Sequence, residues 1–498
     1  MQDSARRGQG RALYDELRAR MADGTYGPGA ALPSTRALAG ERGLSRTTVS
    51  LVYEQLAADG FLDTRPGAAS RVAASALPPA KAGHGGPLQA GPRPVDRLSA
   101  IGTRMAALDL HHLASEVPDE IDFLYGPLAG RDFPTGAWLK ALRSVERQHG
   151  ARLDYEDPRG NLALRKALQK HLSQTRGLSC SVDQLMIVSG SQQALDLCAR
   201  LLLDPGDPVV VENPGYRMAH HVFEGCGARL QCVDVDAQGL CTDQLAGIAQ
   251  ARLIYVTPTH QFPLGGFLPI GRRRSLLDWA AERGAWVIED DYDSEYRYAV
   301  RPEAPLQSLD LHGRVIHVGT FSKTLSPQLR LGYMVLPPQL VPAFATAKRL
   351  ADRHANTGLQ RALALLLEDG SHDRHVRRIR RLQQARQRVL LDTLAAQLGP
   401  RVVVEGAASG LHVVAWLPGL APAQEPALVA LALRQKVRVH PVSPLFHPAG
   451  PAAARQRRPA GLVMGYALLT LAQIEEGVKR LAAVVRRLEP EAGWGRIF

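Results

Sequence analysis

The stretch GTFSKTLSPQLRLGY, residues 319–333, directly follows the apolar run RVIHV. An apolar run of this length predicts a buried strand, so Lys323 is expected just beyond the carboxyl end of that strand. No other lysine occurs between positions 170 and 348. With Thr320, Ser322 and Arg330 as neighbours, the lysine amine is suited to form a Schiff base beside a phosphate group. An ordinary loop lysine among hydroxyl side chains is the alternative interpretation.

A second apolar run, AWVIEDDYDSEYRY, ends in a cluster of acidic side chains. Apolar residues lead directly into Glu289, Asp290, Asp291, Tyr292 and Asp293. Four acids in five residues at a strand end fit either a metal site or a carboxylate that faces a cationic ring. Further upstream, SGSQQAL (residues 189–195) follows a strand and opens a helix. Its N–H groups and hydroxyls either hold a phosphate or simply cap that helix.

Composition and charge exclude several classes of protein. The 498 residues are 45% apolar and 22% charged, as in globular proteins, and a chain of this length predicts about three domains. Five scattered cysteines without a C-x-x-C pair indicate a reducing, cytoplasmic compartment. No apolar run approaches the roughly 20 residues of a membrane span, and MQDSARRGQG lacks a signal-peptide core. The net charge of +12 makes nucleic acid a candidate partner.

The pattern from about residue 121 onward predicts an α/β domain. Helical patterns alternate with the apolar runs LMIVSG, PVVVEN, RLIYVTP, AWVIEDD and RVIHVGT. Strands that are buried on both faces and separated by helices indicate a mostly parallel sheet. After about residue 350, an arginine-rich helix precedes RVVVEG, LHVVAWL and KVRVHPV. That change of pattern predicts a smaller α+β lobe.

The pattern over residues 1–72 predicts a separate helical unit. Apolar residues at helical spacing indicate a first helix, and Ser34 and Ser45 are expected to cap a second and a third. The extended pieces FLDTR and SRVAA flank Pro66-Gly67, which predicts a hairpin turn. Helix, helix, short turn, helix and hairpin is the plan of a winged helix-turn-helix, and a small protein-binding module is the alternative.

The recognition helix of a helix-turn-helix presents its first residues to the edges of the bases. Arg46 is suited to bind guanine through two hydrogen bonds. The expected DNA contacts are, in chain order, Arg36, Ser45, Arg46, Thr47, Thr48, Arg65 and Gly67. Arg36 would lie near the DNA backbone, and Arg65 with Gly67 would place the wing. The unit holds ten basic and eight acidic residues, so its net charge is small. The wing sequence RPGAASRV contains no aromatic residue, which predicts weak contact of the wing with the minor groove or the DNA backbone.

Residues 73–118 are predicted to form a linker. The stretch from Ala73 to Ala100 consists mostly of Ala, Gly and Pro, and such a composition buries too little surface to offset the ordering entropy of the chain. A helix is expected around residues 102–114, at the end of this segment.

Much of the positive charge lies in residues 374–388, which contain seven arginines and no acid. We interpret this run as a solvated helix face that bridges two lobes, with a second DNA-contacting surface as the alternative. The pairs His111-His112 and His220-His221 lack metal-ligand spacing, so the sequence predicts no metal site.

The order of SGSQQAL, ENPGY, TPTHQFPLGG, EDDYDSEYRY and GTFSKTLSPQLRLGY resembles that of the fold-type I, pyridoxal-phosphate-dependent aminotransferases. Together with LPSTRALA, GLSRTTV and YEQLAADGFL near the start, the chain most resembles the MocR family of bacterial regulators. The resemblance covers nearly the whole chain apart from the linker. It implies a GntR-type winged helix-turn-helix over residues 1–72 and an aminotransferase-like domain over residues 119–498, with its large lobe reaching about residue 350.

The resemblance also implies a role for each matching residue. Lys323 would form the internal aldimine with pyridoxal phosphate, Asp290 would pair with the protonated pyridine nitrogen, and Tyr292 would hydrogen-bond the phenolic oxygen of the ring. Tyr216 would stack on the cofactor, and His260 would line its oxygen edge. The phosphate would lie among Ser191, Gln192, Thr320, Ser322 and Arg330.

Two further positions bear on assembly and activity. Tyr155 matches a tyrosine that reaches the phosphate of a partner subunit, which implies a homodimer. Aminotransferases hold the substrate carboxylate with an arginine before a short carboxyl-terminal strand, and Leu462 stands where that arginine is expected. Arg457 or Arg458 would have to substitute from the loop, since without a guanidinium clamp a substrate loses affinity and orientation.

Three functions follow from these observations. The favoured one is a regulator that binds operator DNA and senses pyridoxal phosphate or an amino acid such as γ-aminobutyrate or taurine, with genes of vitamin B6 or amino-acid metabolism as targets. The second is an active aminotransferase with an accessory DNA-binding domain, which Leu462 disfavours. The third is a cofactor-free dimerisation scaffold, which would need neither Lys323 nor Asp290.

Overall fold

The computed structural model describes residues 2–65, 68–74, 98–110, 119–148, 154–299, 303–450 and 458–489. The chain divides into two compact units, Met1–Arg97 and Leu98–Phe498. No helix within the described ranges is both long enough and apolar enough to cross a lipid bilayer.

The first unit folds as predicted from the helix caps. Its elements are α1 (Gln2–Ala22), α2 (Thr35–Arg42), α3 (Arg46–Ala58), β1 (Leu62–Asp63) and β2 (Arg71–Val72). Ser34 Oγ accepts the N–H of Ala37, and Ser45 Oγ accepts the N–H of Thr48, so both predicted caps are present. The two strands pair antiparallel, while the predicted turn at Pro66-Gly67 lies outside the described residues. The winged helix-turn-helix prediction is confirmed.

The core of this unit is formed by the inner faces of its helices. Side chains spaced three or four residues apart on α1 and α3 become buried together, as expected for amphipathic helices. These side chains are Leu13, Leu17, Met21, Val49, Val52 and Leu56.

The second unit alternates helices and strands. Its strands are β3 (Ile121–Asp122), β4 (Leu185–Val188), β5 (Pro208–Asn213), β6 (Arg229–Asp236), β7 (Gly239–Leu240), β8 (Leu253–Val256), β9 (Trp286–Asp291), β10 (Val315–Thr320), β11 (Gly332–Val335), β12 (Val403–Glu405), β13 (His412–Leu417), β14 (Val437–Arg438), β15 (His440–Pro441) and β16 (Ala460–Gly465). Its helices are α4 (Ala100–Ala106), α5 (Thr135–Glu146), α6 (Leu162–Arg176), α7 (Ser191–Leu202), α8 (Arg217–Cys226), α9 (Ile270–Arg283), α10 (Leu306–Leu309), α11 (Val341–Asp352), α12 (Thr357–Glu368), α13 (Ser371–Leu398), α14 (Glu425–Arg434) and α15 (Leu471–Leu488).

The large lobe is built on an eight-stranded sheet with the order β4-β11-β10-β9-β8-β5-β6-β7. The central strands β10, β9, β8, β5 and β6 are parallel, and β11 is antiparallel to both of its neighbours. Val209 and Val211 pack into one apolar cluster and Val210 into another, because successive side chains point to opposite faces. The predicted α/β sheet is therefore confirmed, and the carboxyl ends of β5, β8, β9 and β10 meet at one edge.

The small lobe contains a second sheet with the order β12-β13-β16-β15. All neighbouring strands in it are antiparallel, and α13 and α15 pack beside it around a shared apolar core. A parallel pair of β3 and β14 completes this region. The α+β lobe predicted after residue 350 is confirmed.

Helix α4 lies within the segment predicted to be linker and packs on the large lobe. The guanidinium of Arg104 donates hydrogen bonds to the carbonyls of Gly225 and Cys226, at 3.2 and 3.3 Å, where α8 ends. A cation at the last carbonyls of a helix satisfies acceptors that have no partner within the helix. The second compact unit thus includes residues 98–110, whereas residues 75–97 and 111–118 lie outside the described ranges.

The arginine run on α13 differs from the expected solvated face at Arg386, and the exposed Arg378 also donates a hydrogen bond to the carbonyl of Asp132. Arg374, Arg377, Arg378, Arg380, Arg381 and Arg388 are exposed. Arg386 is buried, and its guanidinium lies 2.6 Å from the carboxylate of Asp132 and 3.1 Å from the carbonyl of Ala467. This arginine therefore ties α13 to neighbouring segments rather than facing water.

Candidate functional site

Lys323 follows β10 by three residues, at the edge where the parallel strands end. Its half-buried Nζ donates a 2.7 Å hydrogen bond to the carbonyl of Gly126, and the hydroxyl of Tyr296 donates to the carbonyl of Lys323 at 2.5 Å. Burial lowers the pKa of the Lys323 amine, and the carboxylates of Asp293 and Asp290 oppose that effect. A lowered pKa increases the fraction of neutral amine, which is the nucleophilic form.

Asp290 lies near the end of β9, beside the strand that precedes the lysine. Its side chain is 4% exposed, and Oδ2 accepts a 2.7 Å hydrogen bond from the hydroxyl of Tyr255. The other oxygen, Oδ1, is buried without a partner among the described residues. Burial raises the pKa of Asp290 to about 6. A buried carboxylate oxygen without a donor fits a ligand that brings an N–H group to this position.

Tyr292 and His260 form a chain with Asp293 at the same edge. Nδ1 of His260 lies 2.9 Å from Oδ2 of Asp293 and 2.9 Å from the hydroxyl of Tyr292. Nε2 of His260 is buried and has no partner among the described residues. The carboxylate favours a proton on Nδ1, as is usual for an imidazole beside an acid. His260 therefore positions the tyrosine that the sequence assigned to the cofactor ring.

The expected phosphate cradle surrounds the start of α7. Ser191 and Gln192 are the first residues of that helix, where N–H groups lack helical partners. Nη2 of Arg330 donates to the carbonyl of Ser189 at 2.9 Å. A Cβ at Gly190, whose φ is +80°, would lie 2.6 Å from Nη2 of Arg330, so only glycine lets the guanidinium come so close.

Two hydroxyl side chains complete this region. Oγ1 of Thr320 donates to Oγ of Ser322 at 2.9 Å and accepts the backbone N–H of Ser322 at 3.1 Å. Helix N–H groups, hydroxyls and one guanidinium together form a site suited to a phosphate dianion.

Tyr216 lies between the end of β5 and α8, where it faces the same edge. Its ring meets that of Phe262 in an edge-to-face arrangement with centroids 5.9 Å apart. Burial raises the pKa of Tyr216 to about 12, so the phenol remains neutral. The half-buried ring offers an aromatic face to a planar ligand.

Leu462, which stands where the sequence predicts the carboxylate-binding arginine, does not face the candidate site. Leu462 is fully buried in the small-lobe core and faces away from the site. The adjacent Val463 packs in the cluster that contains Tyr125, Tyr216 and Tyr292, so Val463 is the residue of β16 that faces the site. Side chains alternate along a strand, so these two neighbouring residues point to opposite faces. Leu462 and Val463 are both apolar, so neither residue can bind a substrate carboxylate through a charge.

Arg458, one of the expected substitutes, has other partners. Its Nη2 donates to the carbonyl of Val235 at 3.1 Å, and Nη1 lies 3.5 Å from the carboxylate of Glu405. Its guanidinium also stacks over the ring of Trp416, 5.2 Å from the centroid. Arg457 lies outside the described residues.

Tyr155 occupies an outer surface of the second unit and is 69% exposed. The guanidinium of Arg353 lies 4.7 Å from the centroid of its ring, and the His354 ring packs edge-on at 5.9 Å. An aromatic side chain so exposed, beside a cation, is typical of residues at protein interfaces.

The DNA-contacting residues proposed from the sequence lie around the start of α3. Arg36, Ser45, Arg46, Thr47 and Arg65 are exposed, and Thr48 is half-buried. The hydroxyls of Ser45 and Thr48 lie 2.7 Å apart, so these two groups mainly cap the helix. The structure therefore leaves Arg46 and Thr47 free to reach a base edge. Gly67 lies outside the described residues.

Sequence reasoning missed three groups of the site. Tyr255 holds Asp290, Asp293 holds His260, and the carbonyl of Gly126 accepts from the lysine. Tyr255 pairs with Ile288 in the β8–β9 ladder, two residues before Asp290 on the same face. The order of the strands would have revealed this neighbour, whereas the contact with Gly126 depends on a segment that is distant in the sequence.

Comparison with known proteins identifies both parts of the chain. Residues 126–481 match the family of class I and II aminotransferases, and residues 9–72 match the gntR family of bacterial regulatory proteins. The α-aminoadipate aminotransferase LysN of Thermus thermophilus, solved with N-(5'-phosphopyridoxyl)-L-leucine, is 30% identical with a TM-score of 0.66. That similarity covers 74% of this chain and 93% of LysN.

Two relatives match nearly end to end. The probable rhizopine catabolism regulatory protein MocR of Rhizobium meliloti is 34% identical over 96% of this chain and 94% of its own length. The HTH-type transcriptional regulator TauR of Rhodobacter capsulatus is 34% identical over 96% of this chain and 97% of its own length.

A GntR-type winged helix joined to a fold-type I aminotransferase domain defines a class of bacterial transcriptional regulators. The chain belongs to this class, the MocR-type family, and is an HTH-type transcriptional regulator with an aminotransferase-like domain. The function favoured by the sequence is confirmed at this level.

Proposed function

We propose that this regulator binds pyridoxal phosphate at Lys323 and uses the cofactor site to sense the cofactor or an amino acid. It acts as a homodimer on operator DNA in the cytoplasm. One observation carries the proposal: the Lys323 amine and Oδ1 of Asp290, which has no partner among the described residues, stand at the ends of neighbouring parallel strands. An amine for an aldehyde and a carboxylate for a ring N–H are the two groups that pyridoxal phosphate requires.

The residues present fit the cofactor. Pyridoxal phosphate supplies an aldehyde for a lysine amine and an electron-withdrawing ring whose nitrogen carries a proton. Asp290 would hold that proton at its free oxygen, while the first turn of α7, Thr320 and Ser322 would bind the phosphate. Arg330 would add a charged donor to the same phosphate. The phosphopyridoxyl compound bound by LysN supports this assignment.

Tyr292 and Tyr216 would orient the ring. Tyr292 is held through His260 by Asp293, so its hydroxyl is fixed in direction. Burial raises the pKa of Tyr292 well above its usual value, so the phenol keeps its proton and can donate it in a hydrogen bond. Tyr216 contributes an aromatic face.

A homodimer would complete the site. Tyr155 is exposed in the single chain and lies beside the cation of Arg353, on the unit that holds the cofactor site. A second copy of the domain would bury this exposed tyrosine and arginine. The two side chains could then reach the phosphate of the cofactor bound by the partner subunit.

We expect the effector to be an amino acid or the cofactor itself. MocR is named as a probable regulator of rhizopine catabolism, and TauR is named as a transcriptional regulator. Both match nearly the whole chain. Val463 offers no charged partner to a substrate carboxylate, which favours sensing over efficient transamination. Transamination remains the second candidate function because Lys323 and Asp290, the groups that the chemistry needs, are both present.

The first experiment tests the cofactor site. Full-length protein incubated with pyridoxal phosphate should turn yellow, and borohydride reduction followed by peptide mapping should label Lys323 alone among the eight lysines. The Lys323→Ala variant should take no label. A label on another lysine, or none with excess cofactor, would contradict the assignment.

A second experiment separates sensing from catalysis. The holo-protein is incubated with a panel of amino acids and amines, and 2-oxo acid release is measured beside operator affinity. We expect changes in operator affinity without multiple turnovers. Sustained product formation together with an unchanged operator affinity would favour the aminotransferase. Selection of bound fragments from the source genome supplies the operator.

A further inference from the structure

A cluster of two histidines and one aspartate lies where α6 meets the start of α13, and none of the three belongs to the residues assigned to the cofactor. His171 is on α6, and His372 and Asp373 are in the first turn of α13. One ligand atom from each lies within 4.8 Å of the other two. Because His171 is distant from the other two in the sequence, no spacing motif indicates the cluster.

The distances within the cluster suit a bound ion better than direct hydrogen bonds. Nδ1 of His171 lies 3.5 Å from Oδ1 of Asp373, and Nδ1 of His372 lies 3.8 Å from the same oxygen. Hydrogen bonds between such groups are shorter, roughly 2.7–3.2 Å. Ligands about 2.0–2.2 Å from a tetrahedral metal are roughly 3.3–3.6 Å apart. The 3.5 Å separation lies within this range and the 3.8 Å separation lies just above it.

His372 provides the second, independent observation. Its side chain is 1% exposed, and Nδ1 is buried without a hydrogen-bond partner among the described residues. The ring is held between two others, with Phe321 at 5.6 Å and His171 at 5.3 Å, both edge to face. A buried imidazole nitrogen that has no donor or acceptor is costly unless it binds something.

The other ring nitrogen of His372 points toward a hydroxyl group, at a distance longer than a normal hydrogen bond. Nε2 of His372 faces Oγ1 of Thr324 at 3.5 Å, the residue after Lys323. A metal-binding histidine usually directs its second ring N–H to an oxygen, which fixes the tautomer that leaves the first nitrogen free.

We propose that His171, His372 and Asp373 form a site for one divalent transition-metal ion, with Zn²⁺ as the best fit. Two imidazole nitrogens and one carboxylate suit zinc and disfavour the oxygen-seeking Mg²⁺ and Ca²⁺. Asp373 is partly exposed, which gives the ion a path from solvent and leaves the fourth position to water. The ion would link α6 to α13, and the proposal does not depend on cofactor binding.

The test uses full-length protein freed of metal with a chelator and titrated with Zn²⁺ alone. We expect one ion per chain at this site and a rise in the unfolding temperature that follows the occupied fraction. Co²⁺ in place of Zn²⁺ should give the visible d–d bands of a tetrahedral site. Asp373→Asn and His171→Gln should each weaken binding by more than the roughly 10- to 100-fold that loss of an outer-sphere partner costs.

His221→Gln is the matched control. His221 is also a helical histidine that pairs with a carboxylate, 3.2 Å from Glu224, but among the described residues the pair belongs to no compact set of three ligand groups. This variant should bind Zn²⁺ with the affinity of the wild type. Zn²⁺ bound to the cofactor would contribute the same amount of metal to the wild type and to every variant, so it would not change the comparison. Absence of a stoichiometric site, or equal affinity in all variants, would overturn the proposal.

Discussion

Asp290 shows how a buried carboxylate at the proposed cofactor site can cost stability. Burial raises the pKa of this carboxyl to about 6, above the value of about 3.9 for an unfolded chain. The folded protein therefore binds the proton more tightly than the unfolded chain. The contribution of Asp290 to the free energy of unfolding is therefore most favourable below about pH 4 and decreases as the pH rises from about 4 to 6.

Asp290→Asn should remove this pH dependence from the cofactor-free protein. As the pH rises from 4 to 7, the free energy of unfolding of the variant should increase by up to about 3 kcal/mol relative to that of the wild type. The same variant should bind pyridoxal phosphate more weakly, because an amide cannot hold a proton on the ring nitrogen. Urea unfolding at several pH values measures the first effect and absorbance titration measures the second.

Asp392→Asn is the control, since it removes an exposed carboxylate. Its stability relative to the wild type should be nearly independent of pH. If Asp290→Asn behaves like this control, the burial argument for Asp290 is wrong.

Arg46 is the residue on which sequence-specific DNA binding is expected to depend. It is the first residue of α3 and is exposed, while Ser45 and Thr48 are engaged in the cap. Arg46→Ala should weaken operator binding by about 1–3 kcal/mol and leave the visible spectrum unchanged. The measurement is a titration of operator and random DNA at one salt concentration. Equal losses on the two DNAs would show that Arg46 contacts phosphate.

Among the elements, α13 is held by a buried ion pair. The side chains of Arg386 and Asp132 are 4% and 6% exposed, and Nη1 of Arg386 lies 2.6 Å from Oδ2 of Asp132. Removing one member of a buried pair leaves the other charge without compensation, which costs about 3–5 kcal/mol. The remaining arginines of the helix are exposed and lack this coupling to the carboxylate of Asp132.

Arg386→Leu should therefore destabilise the second unit by about 3–5 kcal/mol, measured by urea unfolding. Arg388→Leu, on the exposed face of the same helix, should change stability by no more than about 0.5 kcal/mol. Similar effects of the two substitutions would mean that the buried pair contributes no more than a surface charge.

Elements were predictable where their signals are local. Buried runs such as PVVVEN became strands, and Ser34 and Ser45 cap helices as expected, because burial periodicity and capping depend on neighbouring residues. Contacts across the sheet, such as Tyr255 with Asp290, require the strand order. The choice between Leu462 and Val463 requires the direction of each side chain on β16, and a shift of one residue reverses the face.

At the scale of the whole molecule, two units of different chemistry belong to one regulator. A ligand changes DNA affinity only if it binds one arrangement of the protein better than another. Operators of dimeric helix-turn-helix proteins contain two half-sites. In the homodimer proposed above, the spacing between the two DNA-binding units is therefore the property that such a ligand would change. A single half-site is insensitive to that spacing.

The most direct test is a titration of a two-half-site operator and a single half-site by wild type and Lys323→Ala, with and without pyridoxal phosphate, at one fixed salt concentration. We expect the cofactor to change the affinity of the wild type for the two-half-site operator more than for the single half-site. Lys323→Ala should bind DNA but lose most of this response. If the cofactor changes both affinities by the same factor, or if the variant responds like the wild type, cofactor binding at Lys323 does not control the DNA-binding units.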